Sequence, residues 1–344
     1  MKNPLTFAVL VPMLACSAGL YAQSADLLKQ QSMKRWDIAP ANYSGITHIE
    51  GNSYAVVSDK EIHSGFYIFN IDIDIDTASG RIRNVTRSQL QTSASDAIGR
   101  DEEGICFLPS ANTVFISAED DQRIIEYSLD GKPTGRELQV PAMFAPDSIH
   151  ANFGFESLCR SEARSRFYTT TERPLKRDGA NGRNAVRILE FNDSLSPTAQ
   201  YAYVLEQPSL PTEAKYYAHG ISEIAAMPDG RLIVMERELS VPQNYIGAKC
   251  RIRLFSIEPT EEAQCSAQSD LSTWPDSRFL FKTAIADFTT KLEPAQMNFA
   301  NYEGMCPGPQ IAGRQSLILL SDSQGGMGNK LFRLKDYIRI VLLP

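Results

Sequence analysis

Histidine and tryptophan are scarce in this chain, whose 344 residues contain four of the first and two of the second. His48, His63, His150 and His219 form no pair at metal-ligand spacing, which excludes a helix-borne or finger-type zinc site. There is no Gly-x-Ser-x-Gly elbow, and Gly325-Gly326-Met327-Gly328 lacks the lysine arrangement of a phosphate-binding loop. Positive charge is short as well. With 34 Lys and Arg against 41 Asp and Glu, the formal net charge of −7 leaves no footprint for nucleic-acid phosphates.

Past the N-terminal segment no apolar run approaches the roughly 18 residues of a membrane-spanning helix. Cysteines are few and odd in number beyond residue 22, so the chain is no disulfide scaffold. Cys250 and Cys265 fall in one insertion and are the candidates for a pair. Cys106, Cys159 and Cys306 recur at one place in a repeat where Thr47 and Ala226 stand elsewhere, which marks a position for a small side chain rather than a thiol function.

The N-terminus reads as a secretory leader: Lys2 is basic, Pro4 to Ala15 is apolar, and Leu20-Tyr21-Ala22 ends in a small residue. Cleavage after Ala22 leaves one domain, 23–344, destined for the periplasm or the medium. Met13-Leu14-Ala15-Cys16 resembles a lipoprotein box, the alternative being a lipid anchor on Cys16.

What the chain does have is one sentence written five times. Tyr43-Ser44-Gly45-Ile46 runs to Asp59, Glu103-Gly104-Ile105-Cys106 to Glu119, Glu156-Ser157-Leu158-Cys159 to Glu172, Ser222-Glu223-Ile224 to Glu236, and Glu303-Gly304-Met305-Cys306 to Asp322. A turn signal and a short apolar run separate the two acids, as in Met227-Pro228-Asp229-Gly230 followed by Leu232 to Met235. A third, alternating segment follows: Phe66–Phe69, Ile124–Tyr127, Val186–Phe191, Ile252–Phe255 and Leu331–Leu334. A fourth follows another turn, for example Arg136 to Val140. Four strands per unit with no amphipathic helix between units predict an all-β chain folded as a β-propeller. Five blades are read from the repeats, and the long gap before Glu303 or the terminal segments have room for a sixth. Glu258 to Ser277 reads as a decorated outer loop, and Ser32 to Ile38 as an outer strand closing the ring.

In an antiparallel hairpin, the start of the first strand and the end of the second lie at one end. Both sets of acids are therefore expected around one mouth of the central channel. Glu103, Glu156, Glu223, Glu303 and Asp322 are the candidate ligands of a cation. Glu119, Glu172, Glu236 and His219 are candidates for proton transfer, and Lys60, Arg173 and Arg237 for holding an anionic or ester substrate. Carboxylates at 4 Å repel by about 4 kcal/mol per pair at an effective dielectric near 20, so the ring requires compensation. Ca²⁺ suits a flexible ring of oxygens better than zinc does. The competing reading is that each glutamate bonds neighbouring backbone and holds nothing. Arg177 and Arg183, in the loop 176–184, are expected to overhang the mouth.

The segments Tyr43-Ser44-Gly45-Ile46, Asp101-Glu102-Glu103-Gly104-Ile105, Asn152-Phe153-Gly154-Phe155-Glu156-Ser157-Leu158 and Asn301-Tyr302-Glu303-Gly304-Met305 resemble the phytase-like propeller family of secreted bacterial proteins. The resemblance runs from about Asn42 to Leu334. It implies a hydrolase of phosphate or carboxylic esters with an esterase-like activity. The DDPAIW-like and NNVDIR-like motifs of calcium-binding propeller phytases are absent, so phytase activity itself is not implied. The glutamate-glycine strand openings and Met227-Pro228-Asp229-Gly230 are also similar to lactonase-type propellers, which hold one divalent ion. A non-catalytic propeller that binds a ligand or protein at the same face is the alternative from another class. The chain is expected to act as a monomer.

Overall fold

The structure is a computed structural model that describes residues 24–92, 98–179, 182–294, 296–328 and 333–344. The expected leader and Cys16 lie outside the described residues. Among those described, the strands form five antiparallel sheets. Blade 1 comprises Tyr43–Glu50, Ser53–Ser58, Tyr67–Ile73 and Ile82–Arg87, and blade 2 comprises Glu102–Leu108, Thr113–Ala118, Ile124–Ser128 and Pro133–Glu137. Blade 3 is built from Phe155–Ser161, Arg166–Thr171, Ala185–Asn192 and Pro197–Val204. Blade 4 contains Tyr216–Ala226, Leu232–Val241, Lys249–Ile257 and Lys282–Glu293, and blade 5 contains Asn301–Ile311, Arg314–Asp322 and Tyr337–Leu342.

The first strands touch in cyclic order, blade 5 against blade 1 included, so the ring closes on five units. No sixth sheet is present among the described residues. The outer strand of blade 5 is donated by Asp26–Leu27 and Gln31–Ser32. The expected donor, Ser32 to Ile38, instead turns into a short 3-10 helix at Met33–Trp36. The third strand of blade 5 is Tyr337–Leu342 rather than the segment around Leu334, of which Leu331 and Phe332 lie outside the described residues. The fourth strand of blade 2 starts earlier than expected, at Pro133.

Successive blades pack face to face through apolar clusters. Phe115 of blade 2 meets Phe167 of blade 3 at 5.0 Å between ring centroids, and both are fully buried. Truncating such a side chain to alanine costs about 3–5 kcal/mol. Towards the channel the first strands come close enough to demand glycine. A Cβ on Gly104 would lie 2.6 Å from the Leu158 nitrogen, and one on Gly304 would lie 2.2 Å from the Ser44 carbonyl oxygen.

The insertion 258–277 folds into short 3-10 turns against the outer half of blade 3, where Leu271 and Trp274, with Phe279 just beyond it, bury Ala185 and Ala202. Arg187, fully buried, ties it down through Asp178 at 2.6 Å and the carbonyls of Ser266 and Ser269, each at 2.8 Å. Arg177 and Arg183 do not overhang the mouth. They bond the carbonyls of Ala267 and Trp274 in this insertion. Cys250 and Cys265 are both free: the first sits in the core between blades 4 and 5, the second beside Arg187.

Candidate functional site

Each first strand is interrupted by a register shift, near its start in blades 1, 2, 3 and 5 and midway along the longer strand of blade 4. Such a bulge re-aims a side chain. The five bulged positions that face the channel mouth are Ser44, Glu103, Glu156, Ser222 and Glu303, each two residues after the one opposite the end of the second strand. The second strands contribute Asp59, Glu119, Glu172, Arg237 and Asp322. Their place is fixed in blades 1 to 3 by N–H bonds from Asp59, Glu119 and Glu172 to the carbonyls of Asn42, Asp101 and Gly154. In blades 4 and 5, Arg237 pairs with Gly220 and Asp322 with Asn301.

Blade 4 is therefore offset by one residue from the expectation, which placed Glu223 and Glu236 in the ring. One residue along a strand reverses the face. Glu223 lies a layer deeper, at the level of Gly104 and Gly304, where its Oε1 accepts from the Leu158 and Ile224 amides at 3.2 and 3.0 Å. Its Oε2 is buried without a partner, and burial pushes its pKa well up. Glu236 faces blade 3, accepting from the Tyr203 hydroxyl at 2.7 Å and Lys282 at 2.8 Å. His219, on the same face, is buried against Arg253, and burial lowers its pKa. Neither reaches the mouth.

Arg237 is the hub of the ring. Its guanidinium bonds Glu303, Glu172 at 2.9 Å and Glu156 at 3.5 Å, with Asn301 Oδ1 at 3.3 Å. Asn301 in turn donates to Glu303 at 2.8 Å. Across the mouth the neutralisation is thinner and comes from the exposed side chain of Lys60, 3.3 Å from Asp59. Glu103 accepts from Ser44 at 2.6 Å, Glu119 from the Gly154 amide at 2.6 Å, and Lys60 donates to Asp101 at 2.7 Å from the rim. Acidic oxygens of Asp59, Asp101 and Glu103 lie within 4.8 Å of one another, as do those of Glu103, Glu119 and Glu156. Glu103 belongs to both groups. Asp59 Oδ1 is buried without a hydrogen-bond partner.

Burial and mutual repulsion raise these groups together. Asp59 is pushed to about 7 by burial and by Glu303, against the pull of Lys60. Glu119 also rises to about 7 through burial, opposed by the Gly154 amide and reinforced by Glu172. Glu103, Glu156 and Asp322 are also raised well above the usual carboxylate range, each chiefly through burial and then through neighbouring carboxylates. The cluster nearest Lys60 thus offers only hard oxygen donors, one of them unpartnered, and fits a Ca²⁺-type cation better than a soft metal.

The ring floors a cleft of about 350 Å³. Its far wall is apolar. The blade 4 hairpin reaches beyond the others, and alternation turns Tyr216, Ala218, Leu239 and Val241 to the cleft while Tyr217, His219, Glu236 and Glu238 face away. Arg173 stacks at 3.6 Å over Phe153, which lines the cleft. The structure thus brings together Lys60, Glu103, Glu119, Glu156, Glu172, Arg237, Glu303 and Asp322, and leaves out His219, Glu223 and Glu236. Asp101, Asn301 and the apolar wall went unread in the sequence. Asp101 holds the place of Gly154 and Asn301 in the repeat, and counting back two residues from each bulge finds it.

The fold and the mouth define a five-bladed propeller with a carboxylate-lined central site. A family model described as phytase-like, with esterase-like activity of phytase, matches residues 40–324. The chain belongs to that family. No curated protein matches it. Among solved structures it is similar to the PQQ-bound aldose sugar dehydrogenase of Streptomyces coelicolor, at 13% identity over 93% of this chain and 98% of that one, with a TM-score of 0.43. It is also similar to an α-L-arabinofuranosidase of Podospora anserina, at 9% identity, 94% and 97% coverage and a TM-score of 0.43. A candidate 6-phosphogluconolactonase of Bacteroides uniformis matches at 14% identity, 85% and 68% coverage and a TM-score of 0.32. Likeness this distant carries no argument about the reaction. No helix of the described residues is long and apolar enough to cross a membrane.

Proposed function

We infer that this protein is a cation-dependent hydrolase of phosphate or carboxylic esters, working at the acid mouth and exported by its N-terminal segment. One observation carries the reading: two overlapping groups of acidic oxygens, sharing Glu103, lie at the base of an open cleft. Asp59, Asp101 and Glu103 are the residues to hold a divalent cation, with Ca²⁺ the best match to their oxygens. Such a cation, when bound, polarises an ester or phosphoryl oxygen and lowers the pKa of a nearby water.

The side chains divide the remaining work. Glu119 is the candidate general base, because a carboxylate poised near pH 7 is half ionised at working pH and still basic enough to take a proton. Lys60, its side chain 57% exposed at the rim, offsets charge that develops on the substrate oxygen. Arg237 is held by three carboxylates and serves to fix Glu156, Glu172 and Glu303 in place.

The test combines melting temperature with turnover. Ca²⁺ raises the melting temperature of the wild-type protein, and a screen of phosphomonoesters, carboxylic esters and lactones finds turnover that chelator abolishes. Glu103→Gln removes the Ca²⁺ shift and lowers kcat/KM by a factor of about 10² or more, the range lost when one electrostatic catalytic group goes. Unchanged melting with Ca²⁺ and silence across the screen favour a non-catalytic binder. That second reading draws on Arg237, which already offsets Glu156, Glu172 and Glu303 from within the ring.

A further inference from the structure

Half of the cleft has no part in the chemistry above. Leu239, Val241, Leu292 and Phe299 line it opposite the acids, on the extended blade 4 hairpin and the seam between blades 4 and 5. Tyr245 closes the rim, taking a hydrogen bond from Lys215 at 3.1 Å, with its hydroxyl 4.0 Å from Met327 Sδ. Tyr216 and Met327 stay 45% and 39% exposed there. An apolar concavity that abuts convergent polar groups is the usual form of a small-molecule site. The cations beside it are engaged: Arg237 with three carboxylates, Lys60 with Asp59 and Asp101, Arg173 over Phe153, and Lys215 with Tyr245 and Tyr216. No group of free cations at the described cleft matches a polyanion.

We propose that the ligand of this cleft is a monoester with a compact polar head and an apolar alkyl or aryl tail. The head meets the acid cluster, and the tail lies along Leu239, Val241, Leu292 and Phe299 beneath Tyr245. A polyphosphorylated polyol fits neither half, because a cation at the acid cluster offsets one phosphate and the others face carboxylates or hydrocarbon. The choice of an ester rests on the hydrolase reading. The tail site rests on the cleft alone.

Two measurements separate these. The first compares kcat/KM for 4-nitrophenyl acetate, butyrate and octanoate, and for inositol hexakisphosphate, all with Ca²⁺. Each added methylene raises kcat/KM by about three- to fourfold until the wall is filled, and inositol hexakisphosphate is not turned over. The second follows quenching of intrinsic fluorescence by two inert analogues, 4-nitrophenyl octyl ether and 4-nitrophenyl methyl ether. The octyl ether binds at least about tenfold more tightly, and Tyr245→Ala and Leu239→Ser each shrink that ratio. Tyr245 stands on a rim turn, so its variant reports even where Leu239→Ser folds poorly. Ether preference without any ester turnover upholds the tail site and overturns the hydrolase reading. Equal affinity for the two ethers, a ratio unmoved by both variants, or a preference for inositol hexakisphosphate overturns the tail site.

Discussion

Blades 3 and 4 open with nearly the same letters, Glu156-Ser157-Leu158 and Ser222-Glu223-Ile224, and put them at different depths. In blade 3 the glutamate stands in the mouth, a ligand of Arg237, with the serine in the layer below. In blade 4 the order is reversed, so the serine faces the mouth and the glutamate is sealed inside the channel. The same offset carries to the second strand, where Arg237 takes the place that Glu172 holds in blade 3. A slip of one residue therefore exchanged two acids at the mouth for a hydroxyl and a cation. The difference teaches how a ring of like charges is made tolerable: one blade supplies the buried counter-charge, and the opposite arc, where the exposed Lys60 meets Asp59 and Asp101, has room for an external one.

Removing that counter-charge should have the largest effect. Arg237→Met leaves Glu156 and Glu172 buried without a partner and Glu303 with Asn301 alone, a change that typically costs 3–5 kcal/mol, or roughly 5–8 °C in a chain of this size. Ca²⁺ should recover part of the loss by taking the guanidinium's place. Thermal unfolding of the variant with Ca²⁺ and with chelator checks this, and equal losses in the two would show that the arcs are not interchangeable.

The pH profile of the cation-free protein comes next. Asp59 and Glu119 titrate near 7 in the folded chain against about 4 in an unfolded one, so between those values the folded state binds more protons. Its stability is therefore greatest below the unfolded pKa and is lost as pH rises through 7. We expect the melting temperature in chelator to fall by about 5–10 °C from pH 5 to pH 8, and Ca²⁺ to stabilise most at the upper end. A profile that rises over this range would remove the raised carboxyls from the account.

The paired exchange Ser222→Glu with Glu223→Ser gives blade 4 the order of blade 3. It adds a carboxylate to the mouth and should tighten Ca²⁺ binding severalfold by calorimetry. An affinity no higher than that of the wild type would argue that the offset does not govern the site. Glu223→Gln alone should change stability least, by about 1 kcal/mol or less. Burial pushes the pKa of this carboxyl well up, which favours its neutral form, and Gln keeps the oxygen that accepts from Leu158 and Ile224. A loss above about 3 kcal/mol in denaturant unfolding would mean that the group is charged.

Much of this was legible in the letters. The recurring acid-glycine openings located five first strands, and the antiparallel hairpin placed their tips at one end, so Glu103, Glu119, Glu156, Glu172, Glu303 and Asp322 were gathered correctly. Glu223, Glu236 and His219 were gathered with them because Ser-Glu and Glu-Ser look alike when only composition and spacing are compared. Hydrogen-bond register alone tells them apart. Leu239, Leu292 and Phe299 carry no sign of the cleft in the sequence, since no local pattern shows that a hairpin overshoots its neighbours. Arg177 and Arg183 read as mouth residues for want of the insertion they bind, which lies some ninety positions away.

The amino-acid sequence by itself determined the repeating antiparallel unit and the concentration of acids at one end of it, because strand alternation and turn chemistry are local. Tertiary structure decided which acids meet, which are silenced by Arg237 and which stand beside hydrocarbon. Those outcomes depend on the register between strands and on the approach of blades far apart in the chain, where a shift of one residue sends a side chain to the other face.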